Sequence, residues 1–181
     1  CYGDGGAIFF NNRNLYEKAK IYAKNGQNTS GEVISSGINS RLDTIQSTIL
    51  LEKIKLLLKE TQLKKKNFLA YKKLLNNKYI RVQKINKNCE SSYSVMTLKI
   101  IKRFNKKNFF NYLNNKKIPF KVYYGKPLHS SEFYKKYLSP NMENTEKLSM
   151  STFSLPIFPY LKNKEIKKIC KTVNLFFKKW K

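Results

Sequence analysis

Apolar side chains recur along this chain at spacings that predict helices separated by short strands. An apolar residue every three or four positions over residues 15–22 predicts a helix that ends near Asn25-Gly26. The same kind of spacing over residues 40–75 predicts a second helix, long enough to bridge two packed units. The C-terminal part predicts strands over residues 79–85, 92–101 and 119–124, and helices over residues 106–115, 131–138 and from Asn163 onward. The last helix is expected to bury Ile166, Ile169, Val173 and Phe176, with Leu175 and Phe177 beside them.

A glycine-rich turn precedes a short apolar run near the beginning of the chain. Residues 7–10 (AIFF) have the length and composition of a buried strand. The preceding residues 3–6 (GDGG) allow a tight turn, but they lack the spacing of a Walker A or dinucleotide-binding loop. The glycines alone therefore indicate a turn before a strand and no particular ligand.

The beginning of the long helix is a candidate anion-binding corner. Ser40 and Asp43 match an S-x-x-D capping box, which predicts that the helix begins at Ser40. Asn39 then lies just before the helix N-terminus and Arg41 just inside it, where free backbone N–H groups and the helix dipole favour anions. An amide and a guanidinium at that place suit a phosphate or a carboxylate. A well-capped helix with a solvated arginine explains the same residues, and both interpretations stay open.

The charge and composition of the chain change this picture only in part. The apolar fraction of 41% and the aromatic fraction of 14% are sufficient for a folded core. The formal net charge is +26, but only four of the 37 basic residues are arginine, the residue that best reads guanine and binds phosphate in a bidentate manner. Lys, Asn and Ile are abundant together and share A/T-rich codons. We therefore expect charge-driven binding of nucleic acid, without a specific nucleic-acid partner.

The cysteine, histidine and hydropathy patterns indicate no metal site, disulfide framework or membrane span. The three cysteines are widely spaced and His129 is the only histidine, which leaves too few ligands for zinc. We expect reduced thiols in a cytoplasmic protein. Lysine or glutamate interrupts each long apolar run, so we expect no membrane insertion.

Four sequence motifs, the last of them in two parts, stand in a fixed order along the chain. They are GDGGAIF (3–9), NGQ (25–27), GINSRLDTIQ (37–46), and YYGKPLH (123–129) with SLPIFP (154–159). In these motifs the chain resembles the DegT/DnrJ/StrS-type sugar aminotransferases, which are pyridoxal phosphate (PLP) enzymes of the aspartate aminotransferase fold. The resemblance covers essentially the whole chain. Within the family it is closest to the aminotransferases that act on UDP-2-acetamido-2-deoxy-3-oxo-D-glucuronate.

The resemblance implies an α/β fold class, namely the C-terminal part of a type I (aspartate aminotransferase-like) PLP-transferase fold. Residues 1–55 are then expected to complete the large PLP-binding domain and to begin the bridging helix. Residues 56–181 are expected to form the small C-terminal α/β domain. Because the sheet of the large domain would be incomplete, we expect exposed apolar surface.

The resemblance also implies roles for individual residues. It assigns Asn39 to the PLP phosphate of a neighbouring subunit and Arg41 to the sugar-nucleotide substrate. It places Tyr123 and Tyr124 along the substrate pocket across the same interface, although a packed strand residue explains either tyrosine equally well. The implied assembly is a homodimer with shared active sites. His129 matches the family's P-L-H pattern, and a surface or hydrogen-bonded loop histidine is the simpler interpretation.

The chain departs from the family pattern in two places. In the family the lysine that forms the Schiff base with PLP lies about four residues before the position of Cys1. We therefore expect a fragment, inactive alone, with no catalytic residue of its own, because covalent catalysis with PLP requires that lysine. The loop over residues 28–36 lacks the Tyr and His that many members carry there.

The function implied by the resemblance is PLP-dependent amino transfer from an amino acid, with glutamate as the expected donor. The acceptor is expected to be a UDP- or dTDP-linked keto-sugar used for surface-polysaccharide or lipopolysaccharide biosynthesis. Two alternatives stay open. The chain is either a non-catalytic remnant or partner subunit that lends Asn39 and Arg41 to another chain, or a basic nucleic-acid-binding module suggested only by its charge.

Overall fold

The computed structural model describes residues 3–76, 78–101, 105–137 and 141–179, and the chain divides into two compact units, Cys1–Leu58 and Lys59–Lys181. Helix α1 (Arg13–Ala23) belongs to the first unit, and helix α2 (Thr44–Leu74) begins in the first unit and ends in the second. The division of the whole fold into a large-domain part over residues 1–55 and a small domain over residues 56–181 remains a prediction.

Helix α1 forms and ends as its sequence predicts. The side chain of Asn12 caps its first turn by accepting a hydrogen bond from the backbone N–H of Leu15, at 3.2 Å. At the other end, the N–H of Gly26 donates to the carbonyl of Ile21 at 2.9 Å. Asn25 and Gly26 both adopt positive φ, at 58° and 76°, which turns the chain out of the helix.

The predicted strand over residues 7–10 is wrong for the described part of the chain. Ile8 and Phe9 are 76% and 93% exposed, and no strand pairing is found there among the described residues. A strand needs a neighbouring strand to bond its backbone groups, and apolar composition does not supply one. The expected exposed apolar surface is present at these residues.

The predicted start of α2 at Ser40 is also wrong, because the helix begins at Thr44. The backbone N–H of Ser40 instead donates to the carbonyl of Ala23 at 3.1 Å. The first helical turn is closed by Asp43, whose carbonyl accepts from the N–H of Ser47 at 2.9 Å. Long-range backbone pairing therefore overrides the local capping signal. The predicted end of the helix is confirmed, since α2 ends at Leu74.

The second unit contains a three-stranded antiparallel sheet in the order β1-β2-β3. Its strands are β1 (Ile80–Val82), β2 (Met96–Ile100) and β3 (Thr152–Leu155). Ile80 pairs with Ile100, and Met96 pairs with Leu155. The alternation predicted for β2 is confirmed, because its first, third and fifth residues are buried.

The helices of the second unit cover this sheet around a cluster of aromatic rings. They are α3 (Lys106–Asn115), α4 (Glu143–Ser151) and α5 (Asn163–Lys179). Phe109 of α3 is fully buried, and its ring centroid lies 5.2 Å from that of Phe153 and 4.9 Å from that of Phe176. α3 matches its predicted bounds. α5 begins as predicted and buries Ile166, Ile169, Cys170, Val173, Phe176 and Phe177.

Several predicted elements of the second unit are shorter, different or missing. The predicted strand over residues 119–124 is an isolated bridge between Lys121 and Ser154. Residues 131–137 form turns in place of the predicted helix, and Leu138 lies outside the described residues. Leu175 is 39% exposed, although it was predicted to lie beside the buried face. No helix in the described ranges is long and apolar enough to cross a membrane.

Candidate functional site

The predicted phosphate-contacting residue Asn39 lies on an extended segment, here called the arm (residues 37–40). The arm runs antiparallel to the chain that leaves α1. The N–H of Ile38 donates to the carbonyl of Tyr22 at 2.8 Å, and the N–H of Asn25 donates to the carbonyl of Ile38 at 3.1 Å. Together with the bond from Ser40 to Ala23, these contacts fix the backbone of the arm on both sides of Asn39.

The side chains of the arm are exposed although its backbone is fixed. Asn39, Ser40 and the following residue Arg41 are all exposed, so an amide, a hydroxyl and a guanidinium are presented at three consecutive positions. Arg41 forms no ion pair with any residue in the described part of the chain. All three groups can donate hydrogen bonds, and phosphate is an acceptor, so the donor set fits a phosphate. These donors lie on or next to an extended segment, so the anion-binding site predicted at a helix N-terminus is not formed.

The two predicted tyrosines belong to the second unit, and the structure separates them. Backbone pairing joins their segment to the SLPIFP motif: the N–H of Lys121 donates to the carbonyl of Ser154 at 2.9 Å, and the reverse bond measures 2.7 Å. Tyr123 is 56% exposed and lines a groove of about 310 Å³, here called the tyrosine groove. Tyr124 is 82% exposed and does not line it. The other lining residues include Val95, Phe120, Ser154, Pro156 and Phe158.

The wall of the tyrosine groove is attached to α2 by two polar side chains that the sequence reasoning missed. The hydroxyl of Tyr71 donates to the carbonyl of Pro156 at 2.9 Å, and the side-chain amide of Asn67 donates to the carbonyl of Phe158 at 2.8 Å. Burial raises the pKa of Tyr71 well above its usual value, so the hydroxyl remains a donor. The sequence signal that could have identified them is that Asn67 and Tyr71, four residues apart, place two polar groups on the buried face of one helix.

His129 has a local hydrogen-bonding partner. Its Nε2 atom lies 3.3 Å from the Oε1 atom of Glu146 on α4. It follows Leu128 in a single 3-10 turn, Leu128–Ser130. This arrangement agrees with the simpler interpretation of a hydrogen-bonded loop histidine.

The thiols and acidic groups of the described residues form no cluster that suits a metal. No group of three or more His, Cys, Asp or Glu side chains with metal-binding geometry occurs in the described ranges. Cys89 is exposed and Cys170 is buried, and both are free thiols. Cys1 lies outside the described residues.

The family comparison confirms the resemblance. Residues 1–174 match the model of the DegT/DnrJ/EryC1/StrS aminotransferase family. The chain is 33% identical over 170 residues to the UDP-2-acetamido-2-deoxy-3-oxo-D-glucuronate aminotransferase of Pseudomonas aeruginosa, covering 94% of this chain and 46% of that protein. It is 26% identical over 172 residues to the dTDP-3-amino-3,6-dideoxy-alpha-D-galactopyranose transaminase of Aneurinibacillus thermoaerophilus, covering 95% and 47%.

Solved structures confirm the expected α/β aminotransferase fold. A DegT/DnrJ/EryC1/StrS aminotransferase from Brucella abortus superposes with a TM-score of 0.83 at 29% identity, covering 93% of this chain and 45% of that chain. An aminotransferase involved in the biosynthesis of pseudoaminic acid from Helicobacter pylori superposes with a TM-score of 0.85 at 25% identity, covering 93% and 47%. The chain therefore spans about half the length of the relatives it matches.

Proposed function

The chain belongs to the DegT/DnrJ/EryC1/StrS aminotransferase family, and we propose that it forms part of an enzyme that transfers an amino group to a keto-sugar nucleotide. Aminotransferases of this family depend on PLP. When bound, PLP supplies the electron sink that makes amino transfer possible. The contribution of this chain is to bind and orient, because its named site residues are an amide, a guanidinium and two phenols.

The observation that supports the proposal is the exposed amide of Asn39 on an arm with a fixed backbone. A donor held in this way needs little further ordering to meet a phosphate, so less binding energy is lost on association. We assign Asn39 to the PLP phosphate of a neighbouring subunit in a homodimer. The phosphate of PLP fits this position because the side-chain amide of Asn39 can donate to a phosphate oxygen. The neighbouring Ser40 hydroxyl and Arg41 guanidinium carry no negative charge, so they do not repel the phosphate.

Arg41 is proposed to bind the sugar-nucleotide substrate. A guanidinium bonds a diphosphate or a uronate carboxylate with two parallel N–H groups, which fixes orientation as well as charge. The proposed acceptor is UDP-2-acetamido-2-deoxy-3-oxo-D-glucuronate, in line with the Pseudomonas aeruginosa relative, and a dTDP-linked keto-sugar is the alternative. Glutamate is the proposed donor. The product is assigned to cytoplasmic synthesis of surface polysaccharide.

Tyr123 and Tyr124 are proposed to contact the same substrate. Their segment is bonded through Lys121 to Ser154, so its backbone position is defined before a substrate arrives. A phenol offers both an apolar face for a sugar ring and a hydroxyl for its polar edge. Tyr123 contributes one wall of the tyrosine groove, and Tyr124 is free to contact a ligand outside it.

The experiment that tests the proposal expresses the whole reading frame that contains this chain. The purified protein is supplied with PLP, glutamate and the UDP-linked keto-sugar, and the release of 2-oxoglutarate is measured. We expect release that requires both the sugar nucleotide and PLP. A product that binds PLP but transfers no amino group to any UDP- or dTDP-linked keto-sugar contradicts the proposal. Activity that appears only when a separate polypeptide is added makes this chain a partner subunit.

A further inference from the structure

A second groove in the Lys59–Lys181 unit carries a concentration of positive charge. It has a volume of about 510 Å³ and lies between the end of α2 and one face of α5. Four lysines line it, and it is called here the lysine groove. Its volume lies within the range of small-molecule sites, about 300–1,000 Å³. The lysines are Lys78, Lys167, Lys171 and Lys178.

The lysines of α5 form one stripe beside its buried face. Lys167, Lys171, Asn174 and Lys178 follow one another at steps of three or four residues, so they project on the same side of the helix. Like charges four residues apart on a helix destabilise it slightly. An anion that binds along the stripe removes this repulsion.

These lysines differ from other lysines of the same unit. Lys135 pairs with Glu132 at 3.1 Å, and Lys147 pairs with Glu143. Within the described ranges, none of the four groove lysines pairs with a carboxylate, and no acidic residue lines the groove. Four lysines and no acidic residue therefore line the groove, as far as the described residues show.

Apolar and aromatic side chains also line the lysine groove, and they are called here its apolar floor. Leu74, Tyr79 and Leu175 line it, and the ring of Tyr79 stacks on that of Phe177 with centroids 5.5 Å apart. The side chain of Asn174 on α5 is hydrogen-bonded to the end of α2.

The side chain of Asn174 bonds the backbone on both sides of the turn that follows α2. Its oxygen accepts from the N–H of Asn76 at 3.0 Å, and its nitrogen donates to the carbonyl of Leu74 at 2.8 Å. The shape of the groove is therefore present before any ligand binds, which lowers the entropy that binding must overcome.

We propose that the lysine groove binds a phosphorylated small molecule that also carries an apolar or aromatic part, as a nucleotide does. Lysine is a compact point charge that suits phosphate oxygens without requiring bidentate geometry. The apolar floor receives the remainder of the ligand. The lysine groove shares no lining residue with the tyrosine groove, so the inference does not rest on the proposed function.

The test is calorimetric titration of the 181-residue chain with ATP and, separately, with inorganic tripolyphosphate, without divalent cations. ATP should bind roughly tenfold more tightly than tripolyphosphate, because the base gains contacts that the inorganic anion lacks. The double variant Lys167→Gln/Lys171→Gln should weaken ATP binding by roughly tenfold, since two charge-assisted contacts are lost.

The matched control is Lys84→Gln/Lys87→Gln, which removes the same charge from two exposed lysines outside the groove. It should change ATP affinity by less than about twofold, because neither lysine lines the groove and salt screens exposed charges that do not contact the ligand. Equal losses in the two double variants would show binding by net charge alone and overturn the proposal. Equal affinity for tripolyphosphate and ATP overturns the role of the apolar floor. An oligonucleotide that displaces ATP at far lower concentration makes the groove a nucleic-acid site instead.

Discussion

Gly37 lies so close to Gly26 that a β-carbon on Gly37 would stand 2.1 Å from the backbone nitrogen of Gly26. Gly26 is equally confined, because a β-carbon there would stand 1.8 Å from the carbonyl oxygen of Ser35. The NGQ and GINSRLDTIQ motifs therefore pack backbone against backbone. This contact brings the arm, and with it Asn39, against the end of α1.

The substitution Gly37→Ala should separate the arm from α1. The added methyl group meets backbone atoms that cannot move as a flexible side chain can, and overpacking of this kind costs about 1–3 kcal/mol. Hydrogen exchange is the measurement, and the amides of Ile38 and Ser40 should exchange at least about tenfold faster. Gly6→Ala is the control, because nothing lies within 4 Å of a β-carbon there. Unchanged exchange in Gly37→Ala contradicts the close packing.

If the proposed roles are right, Arg41→Ala should weaken use of the sugar nucleotide far more than retention of PLP. Loss of charge-assisted hydrogen bonds to the substrate costs about 1.5–3 kcal/mol, or roughly 10- to 150-fold in kcat/KM. Steady-state kinetics with the sugar nucleotide varied, together with the visible absorbance of bound PLP, measures both effects.

Asn39→Ala should show the opposite pattern. It should weaken retention of PLP more than use of the sugar nucleotide, when variant and parent protein are compared at the same sugar-nucleotide concentration. Arg13→Ala is the control for both variants, since Arg13 pairs with Glu17 on the exposed surface of α1 at 2.8 Å. Substrate kinetics that do not change in Arg41→Ala rule out its assignment to the sugar nucleotide.

Tyr71→Phe should destabilise the second unit and loosen the wall of the tyrosine groove. The variant removes the donor to the carbonyl of Pro156 inside a packed region, which costs about 1–2 kcal/mol. Denaturant unfolding measures the loss, and exchange of the Ser154 amide reports on the wall. Tyr160→Phe is the matched control, because its hydroxyl contacts Glu60 at an exposed site. The idea fails if both variants change the free energy of unfolding equally.

The stability of the second unit should fall with pH above about 9. Burial raises the pKa of the Cys170 thiol to about 12 from its ordinary 9.0. The unfolded chain loses this proton above pH 9 while the folded chain keeps it, so the unfolded state binds fewer protons in this window. The stabilisation is therefore complete below pH 9 and is lost as the pH rises through 12.

Unfolding free energies at pH 8, 9, 10 and 11 measure this slope, which is at most about 1.4 kcal/mol per pH unit for one thiol. Cys170→Ala should remove the thiol's share of the slope, whatever the variant does to stability at pH 8. Cys89→Ala should leave it unchanged, because Cys89 is exposed. A slope that is the same in all three proteins excludes the thiol as its source.

The sequence by itself determined the elements whose signals are local. Helices α1, α3 and α5 have the predicted positions, and β2 has the predicted alternation. The spacing of apolar residues within each element predicts which face is buried. The motifs that identify the family also predict site roles for Asn39 and Arg41.

Only the tertiary structure decided the features that depend on distant partners. The capping box at Ser40 is a local preference worth about 1 kcal/mol, and backbone bonds to residues 22–25 override it. β3 becomes a strand because β2 lies beside it, whereas residues 7–10 have no such neighbour in the described part of the chain. A strand, or an extended segment such as the arm, forms only where another segment hydrogen-bonds to its backbone. The local pattern of side chains does not show which distant segment will do so.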